Sequence, residues 1–122
     1  MNVTDAILDP EMGLTAFTVE RITYTRSPEG TSERKETFSA LGAIHPGTPE
    51  MLRLLPEEER REEFIAVYTD FPLSLGKDAG KRFTGPDRIR WAEQAWRVVR
   101  VRDWSAFGYC QALAVLLQEE TP

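Results

Sequence analysis

Between Arg88 and Val101 the chain writes its clearest pattern. Ile89 and Trp91 alternate with Arg88 and Arg90, a short turn falls at Ala92–Ala95, and Trp96, Val98, Val99 and Val101 follow. Alternation of apolar and polar residues puts one set of side chains on one face of a strand. Two such strands carrying bulky aromatics on either side of a tight turn must bury a sheet face. With 122 residues there is room for one core, so the rest of the chain has to supply the strands that cover it.

Those strands are legible at intervals. Thr15–Arg26 carries Phe17, Val19, Ile22 and Tyr24, with a parity slip between Val19 and Ile22 that suits a bulge or a change of exposed face. Ser27-Pro28-Glu29-Gly30 is a turn, and Glu33–Ile44 returns as a second strand anchored by Phe38. After His45-Pro46-Gly47, a short helix opens with Thr48 as N-cap, Pro49 at its first position and Glu50 in its first turn. Met51, Leu52, Leu54 and Leu55 give it an apolar side before Pro56 stops it, and Glu57–Glu63 is a mixed-charge linker. Phe64–Phe71 predicts a third strand, with Ile65, Val67 and Thr69 on one face and Phe64, Ala66 and Tyr68 on the other.

Residues 72–87 hold Pro72, Gly76, Gly80, Gly85 and Pro86 and predict a long loop, while Phe107–Leu117 closes the series as a last strand. The expected fold is mostly β: a small antiparallel β-barrel or sandwich of about six strands, with one short helix and long loops. The expected division is an N-terminal arm over 1–14, a single domain over 15–118 and a tail over 119–122. Phe38, Ile65, Val67, Trp91, Trp96, Val98, Val101 and Trp104 are its expected core.

Charge narrows the function. Fifteen Lys and Arg against twenty Asp and Glu leave a formal charge of −5, which argues against general affinity for nucleic acid. One cysteine, Cys110, permits no intramolecular disulfide and suits a reducing compartment. The longest apolar run, Ala112–Leu117, is too short to span a bilayer, so the expectation is a cytoplasmic chain with no membrane partner.

Residues able to carry chemistry are few. His45 is the only imidazole, and Cys110 lies in an apolar strand pattern where a thiol behaves as a small hydrophobe, so a Cys–His dyad is disfavoured. No acidic spacing matches a calcium loop, and Gly76, Gly80 and Gly85 lack the Lys-Ser/Thr ending of a phosphate cradle. No catalytic residue, metal or cofactor is expected. The charged positions form instead a candidate contact surface: Arg26, Glu29, Glu33, Arg34 and Lys35 at the first hairpin tip, and Lys77, Lys81 and Arg82 in the 72–87 loop. Arg90 and Arg97 would face each other across the last hairpin. Arg and Trp dominate protein interfaces, which favours a protein rim there over a nucleic-acid surface.

The run Pro86-Asp87-Arg88-Ile89-Arg90-Trp91, a turn, and Trp96-Arg97-Val98-Val99-Arg100-Val101-Arg102-Asp103-Trp104 resembles small neck proteins of tailed bacteriophages. In that group an aspartate precedes a strand, and a Tyr/Trp-x-Val-x-x-Val-x-Asp-Trp pattern closes the hairpin. Gly42-Ala43-Ile44-His45-Pro46-Gly47, then Leu52, Leu55-Pro56-Glu57 and Arg60, is similar to the group's middle, so the likeness covers most of residues 38–115. The group's hairpin turn normally carries a glycine, whereas this chain has Ala92-Glu93-Gln94-Ala95. The resemblance is to the head–tail joining, head-closure or stopper proteins. It implies a small β-barrel acting as a non-enzymatic virion protein at the head–tail junction, assembled in the host cytoplasm. A homo-oligomeric ring, hexamer or dodecamer, would sit between a portal or adaptor protein above and a tail terminator or tail tube protein below. Genomic DNA would pass through it without sequence-specific binding. The 25–36 tip, or else the 72–87 loop, would line the channel. Tail-completion and baseplate proteins share such folds and are the alternative station, with a small nucleic-acid-binding β-barrel as a more distant one.

Overall fold

A computed structural model describes residues 14–60, 63–104, 106 and 108–117. Of the expected arm over 1–14, residues 1–13 lie outside the described residues, and Leu14 belongs to the first strand instead; the tail over 119–122 and Phe107, where the last strand was expected to begin, also lie outside them. The chain is mostly β, with eight antiparallel strands among the described residues rather than six. They are β1 (Leu14–Ser27), β2 (Gly30–Pro46), β3 (Phe64–Thr69), β4 (Lys77–Ala79), β5 (Arg82–Thr84), β6 (Arg88–Trp91), β7 (Gln94–Trp104) and β8 (Tyr109–Leu116). A short helix, α1 (Pro49–Leu52), and a 3-10 turn over Glu57–Glu59 connect β2 to β3.

Six of the strands close on one another in the order β1-β2-β3-β8-β7-β6, and β6 pairs back onto β1. The ring is not a regular barrel, because β1 and β2 are far longer than their neighbours and run on past it. Beyond the ring, Thr23–Thr25 of β1 pair with β5, and β5 with β4. The extra two strands thus come from the segment expected to be a loop. Their tight hairpin is turned by Gly80 at φ 79°, whose N–H donates to the Asp78 carboxylate at 3.0 Å.

Two apolar clusters hold the ring. Inside it pack Phe17, Val19, Ile65, Val67, Ile89, Trp96, Val98, Ala112 and Ala114, with Phe38, Trp91 and Val101 half-buried against them. Outside β3 and β8, Phe64, Ala66, Leu113 and Val115 meet Leu55, Met51 and Leu52. Both faces of β3 are therefore buried, as a nearly continuous apolar run requires. The helix starts as its sequence dictates, with the Met51 N–H donating to the Thr48 hydroxyl at 3.3 Å. Leu54 faces outward, unlike Leu55, and its carbonyl accepts from Arg100 at 3.3 Å. Trp104 belongs to neither cluster: it stacks on Tyr109 at the far end of the β7–β8 hairpin.

The irregularities fall where strand parity breaks, with one exception. Val99 and Arg100 together oppose Leu113, a bulge that lets Val98 and Val101, three residues apart, both face inward. The parity slip between Val19 and Ile22 is no bulge, since β1 and β2 pair without a shift from Leu14 opposite Ala43 to Ser27 opposite Gly30. What changes there is the buried face. Phe17 and Val19 point into the ring, whereas Ile22 and Tyr24 point to the other side, where Tyr24 stacks on Phe83 of β5.

Candidate functional site

The candidate surface is a four-stranded extension, β2-β1-β5-β4, that projects from the ring. Tyr24 stacks on Phe83 with ring centres 4.9 Å apart, which fastens β5 to β1. Arg26 also lies over the Phe83 ring, its guanidinium carbon 4.2 Å from the centroid. Its backbone N–H donates to the Lys81 carbonyl at 2.6 Å and its guanidinium to the Gly80 carbonyl at 3.0 Å. Arg26 therefore ties the first hairpin to the β4–β5 hairpin and is a latch between them. The 25–36 tip and the 72–87 segment, expected to be rival channel elements, are one structural unit.

At the base of the extension stands a built charge pair. Arg21 follows Phe17 and Val19 in the inward register of β1, and Asp87 precedes Ile89 in the inward register of β6. Arg21 donates from Nε to Asp87 Oδ1 at 2.9 Å and from its terminal nitrogen to Oδ2 at 2.8 Å. Asp87 is fully buried, and Oδ2 also accepts from the Ser74 N–H at 2.8 Å. The backbones of Asp87 and Ser74 pair again, N–H to carbonyl, at 2.9 Å. The Arg21 guanidinium sits 5.6 Å from the Phe38 ring and 5.7 Å from the Phe71 ring and also donates to the Pro72 carbonyl. Its hydrogen bond to Asp87, first of all, raises the Arg21 pKa against the opposing effect of burial. Neither residue was expected at a site. Asp87 was visible as the aspartate before a strand, but nothing near Arg21 in sequence marks its partner 66 residues away.

Glu20, the neighbour of Arg21, points to the opposite face and is nearly buried. It accepts from Arg90 Nε at 2.9 Å and lies 3.3 Å from Lys35 Nζ, which bridges β2, β1 and β6. Arg90 and Arg97 do not face each other: Arg88 lies opposite Arg97, and Arg90 lies opposite Ala95. The expected register was two residues off because the turn is shorter than Ala92–Ala95. Trp91 pairs with Gln94, leaving only Ala92 and Glu93 in the turn, both at positive φ of 54° and 63°.

The remaining candidates, Glu29, Glu33, Arg34, Lys35, Lys77, Lys81 and Arg82, all stand exposed on the extension. Residues 23–37 and 77–84 together hold six basic and four acidic residues, so the extension is slightly basic on a chain of net charge −5. His45 is exposed on β2 opposite Ala66, whereas Cys110 points into the core, so the structure does not bring the two together. Burial pushes the Cys110 thiol above its ordinary range. Among the described residues no three His, Cys, Asp or Glu side chains gather as a metal site, and no helix is long and apolar enough to cross a membrane.

No family model matches the chain. It is similar to an uncharacterised protein of Xylella fastidiosa (strain 9a5c), with 29% identity over 89 residues, 72% of this chain. The chain spans 63% of that relative's length.

Proposed function

We propose that the chain is a structural protein of a tailed-phage neck, forming a ring between portal or adaptor and tail that closes the DNA-filled head and offers the tail a platform. It acts by contact and catalyses no reaction. The observation that carries the reading is the hairpin from Pro86 to Trp104. Its quoted motif positions have distinct physical duties: Asp87 receives Arg21, Trp96, Val98 and Val101 enter the core, and the bulge at Val99 accounts for the three-residue step between the valines. The Gly42–Gly47 run of the same resemblance also has a packing reason. A Cβ at Gly42 would collide with the Tyr68 carbonyl, and one at Gly47 with the Phe64 ring.

The long extension suits this role. A ring protomer needs elements that reach neighbours, and a slightly basic projection on an acidic body can meet DNA without holding it tightly. The same charge supports a second reading, a small nucleic-acid-binding β-barrel. Electron microscopy of phage particles carrying a C-terminal tag tests both. Label at the head–tail junction supports the neck role, label at the distal tip moves the chain to the baseplate, and absence from particles overturns the virion reading. Salt-sensitive DNA binding by the isolated protein would then favour the second.

A further inference from the structure

The extension has two strand edges without a partner strand among the described residues: β2 over 31–40, where β3 no longer reaches, and the outer side of β4. Unpaired edges present rows of backbone N–H and C=O groups and are templates for another strand. Each step across β2-β1-β5-β4 is antiparallel, so β2 and β4 run in opposite directions at opposite edges. Copies set side by side in the same orientation would therefore place β2 of one beside β4 of the next as an antiparallel pair.

Charge selects a register for that pair. Asp78 lies opposite Phe83, which lies opposite Tyr24, while Lys35 lies opposite Ile22, so Asp78 and Lys35 occupy the same face. Lys77 and Glu36 share the other face by the same count, through Thr84, Thr23 and Arg21. Setting Lys77 against Glu36 sets Asp78 against Lys35, and both pairs are of opposite charge. Sliding by two residues one way sets Lys77 against Arg34 and Asp78 against Glu33, both like-charged and destabilising. Sliding two the other way sets them against Phe38 and Thr37, with no charge pair.

We infer that β2 of one copy and β4 of the next join edge to edge, with Lys77 opposite Glu36 and Asp78 opposite Lys35, making the extension a continuous sheet between copies. The contact is heterologous, so it propagates and closes into a ring if the rotation between copies allows. This deepens the ring proposal and rests on it for closure. With only three residues in β4 a single contact is short, and stability comes from each copy making two of them.

The test is a chain carrying Glu36→Cys and Lys77→Cys in a Cys110→Ala background, as are its controls, oxidised at high protein concentration and run without reductant. Within one chain these positions are three strand spacings apart, about 14 Å, too far for a disulfide, which requires Cα atoms within about 7 Å. Any bond must join two copies. A ladder of trimers and larger species is expected, at least tenfold stronger than from Arg34→Cys with Lys77→Cys. Equal ladders, no band above monomer, or dimers alone formed by Glu36→Cys without the second cysteine would overturn the pairing. Melting curves of the reduced chains check the fold. Independently, Glu36→Lys should abolish self-association and adding Lys77→Glu should restore it. A ladder with no label on particles would remove the neck and leave the interface, whereas junction label without a ladder would do the reverse.

Discussion

Arg21 and Asp87 meet through two parallel hydrogen bonds, at 2.9 and 2.8 Å, at the place where the ring ends and the extension begins. One comes from β1 and the other immediately precedes β6, and the Asp87 side chain has no exposed surface while Arg21 keeps 26%. Together with the Ser74 N–H they lock the segment after β3 against the base of the extension.

Breaking this pair is expected to cost about 3–5 kcal/mol, because the charge left behind stays buried without its partner. Arg21→Met, which leaves the Asp87 carboxylate buried and unpaired, should lower the urea midpoint most, and Asp87→Asn, which leaves a partly exposed guanidinium, should lower it less. The double variant should lose less than the sum of the two, and additive losses in a double-mutant cycle would show that the two charges are not coupled.

The β6–β7 turn is expected to gain from substitution. Ala92 and Glu93 both sit at positive φ, where side-chain-bearing residues are strained by about 1–2 kcal/mol each. Ala92→Asn with Glu93→Gly, the preferred pair for such a turn, should raise stability by about 1 kcal/mol and lift the melting temperature. Unchanged melting would mean that the turn has a different conformation in solution.

Gly42→Ala is expected to destabilise by about 1–3 kcal/mol, since the added methyl meets the Tyr68 backbone carbonyl, which pairing of β2 with β3 prevents from yielding. Gly80→Asn makes a useful contrast. Its Cβ would meet open space, and Asn tolerates the positive φ, so chemical denaturation should show a change below about 1 kcal/mol.

Cys110 sets a pH dependence. Burial first of all raises its pKa in the folded chain, so the folded state favours the neutral thiol more than the unfolded state does. This contribution is complete below the ordinary thiol pKa of about 8.5 and is lost as pH rises through the folded value. Stability measured from pH 8 upward should therefore fall more steeply in the native chain than in Cys110→Ala. A thiol reagent at pH 8 should react slowly until denaturant is added, and immediate reaction would place Cys110 at the surface.

Much of the ring could be drawn from residues alone. The β class, the Thr48 cap, the two faces of β3 and the turn at Pro28-Glu29 each follow from local periodicity or turn chemistry, which act over a few residues. The register of the last hairpin was missed because Ala and Glu carry no mark of a two-residue turn, so only strand pairing revealed their positive φ. Likewise β4 and β5 are three residues each, shorter than any alternation that could announce them, and they exist because β1 offers Thr23–Thr25 as a free edge.

The amino-acid order by itself determined which residues seek burial and where the chain must turn, since hydrophobic pattern and backbone sterics are properties of neighbours in sequence. Only the tertiary structure decided that Arg26 latches two hairpins, that Glu20 and Asp87 each collect partners from distant segments, and that an expected hairpin tip and an expected loop form one projecting sheet. Those pairings join groups 13 to 70 residues apart, and electrostatic attraction chooses among distant charges only after folding has set their distances and removed the water between them.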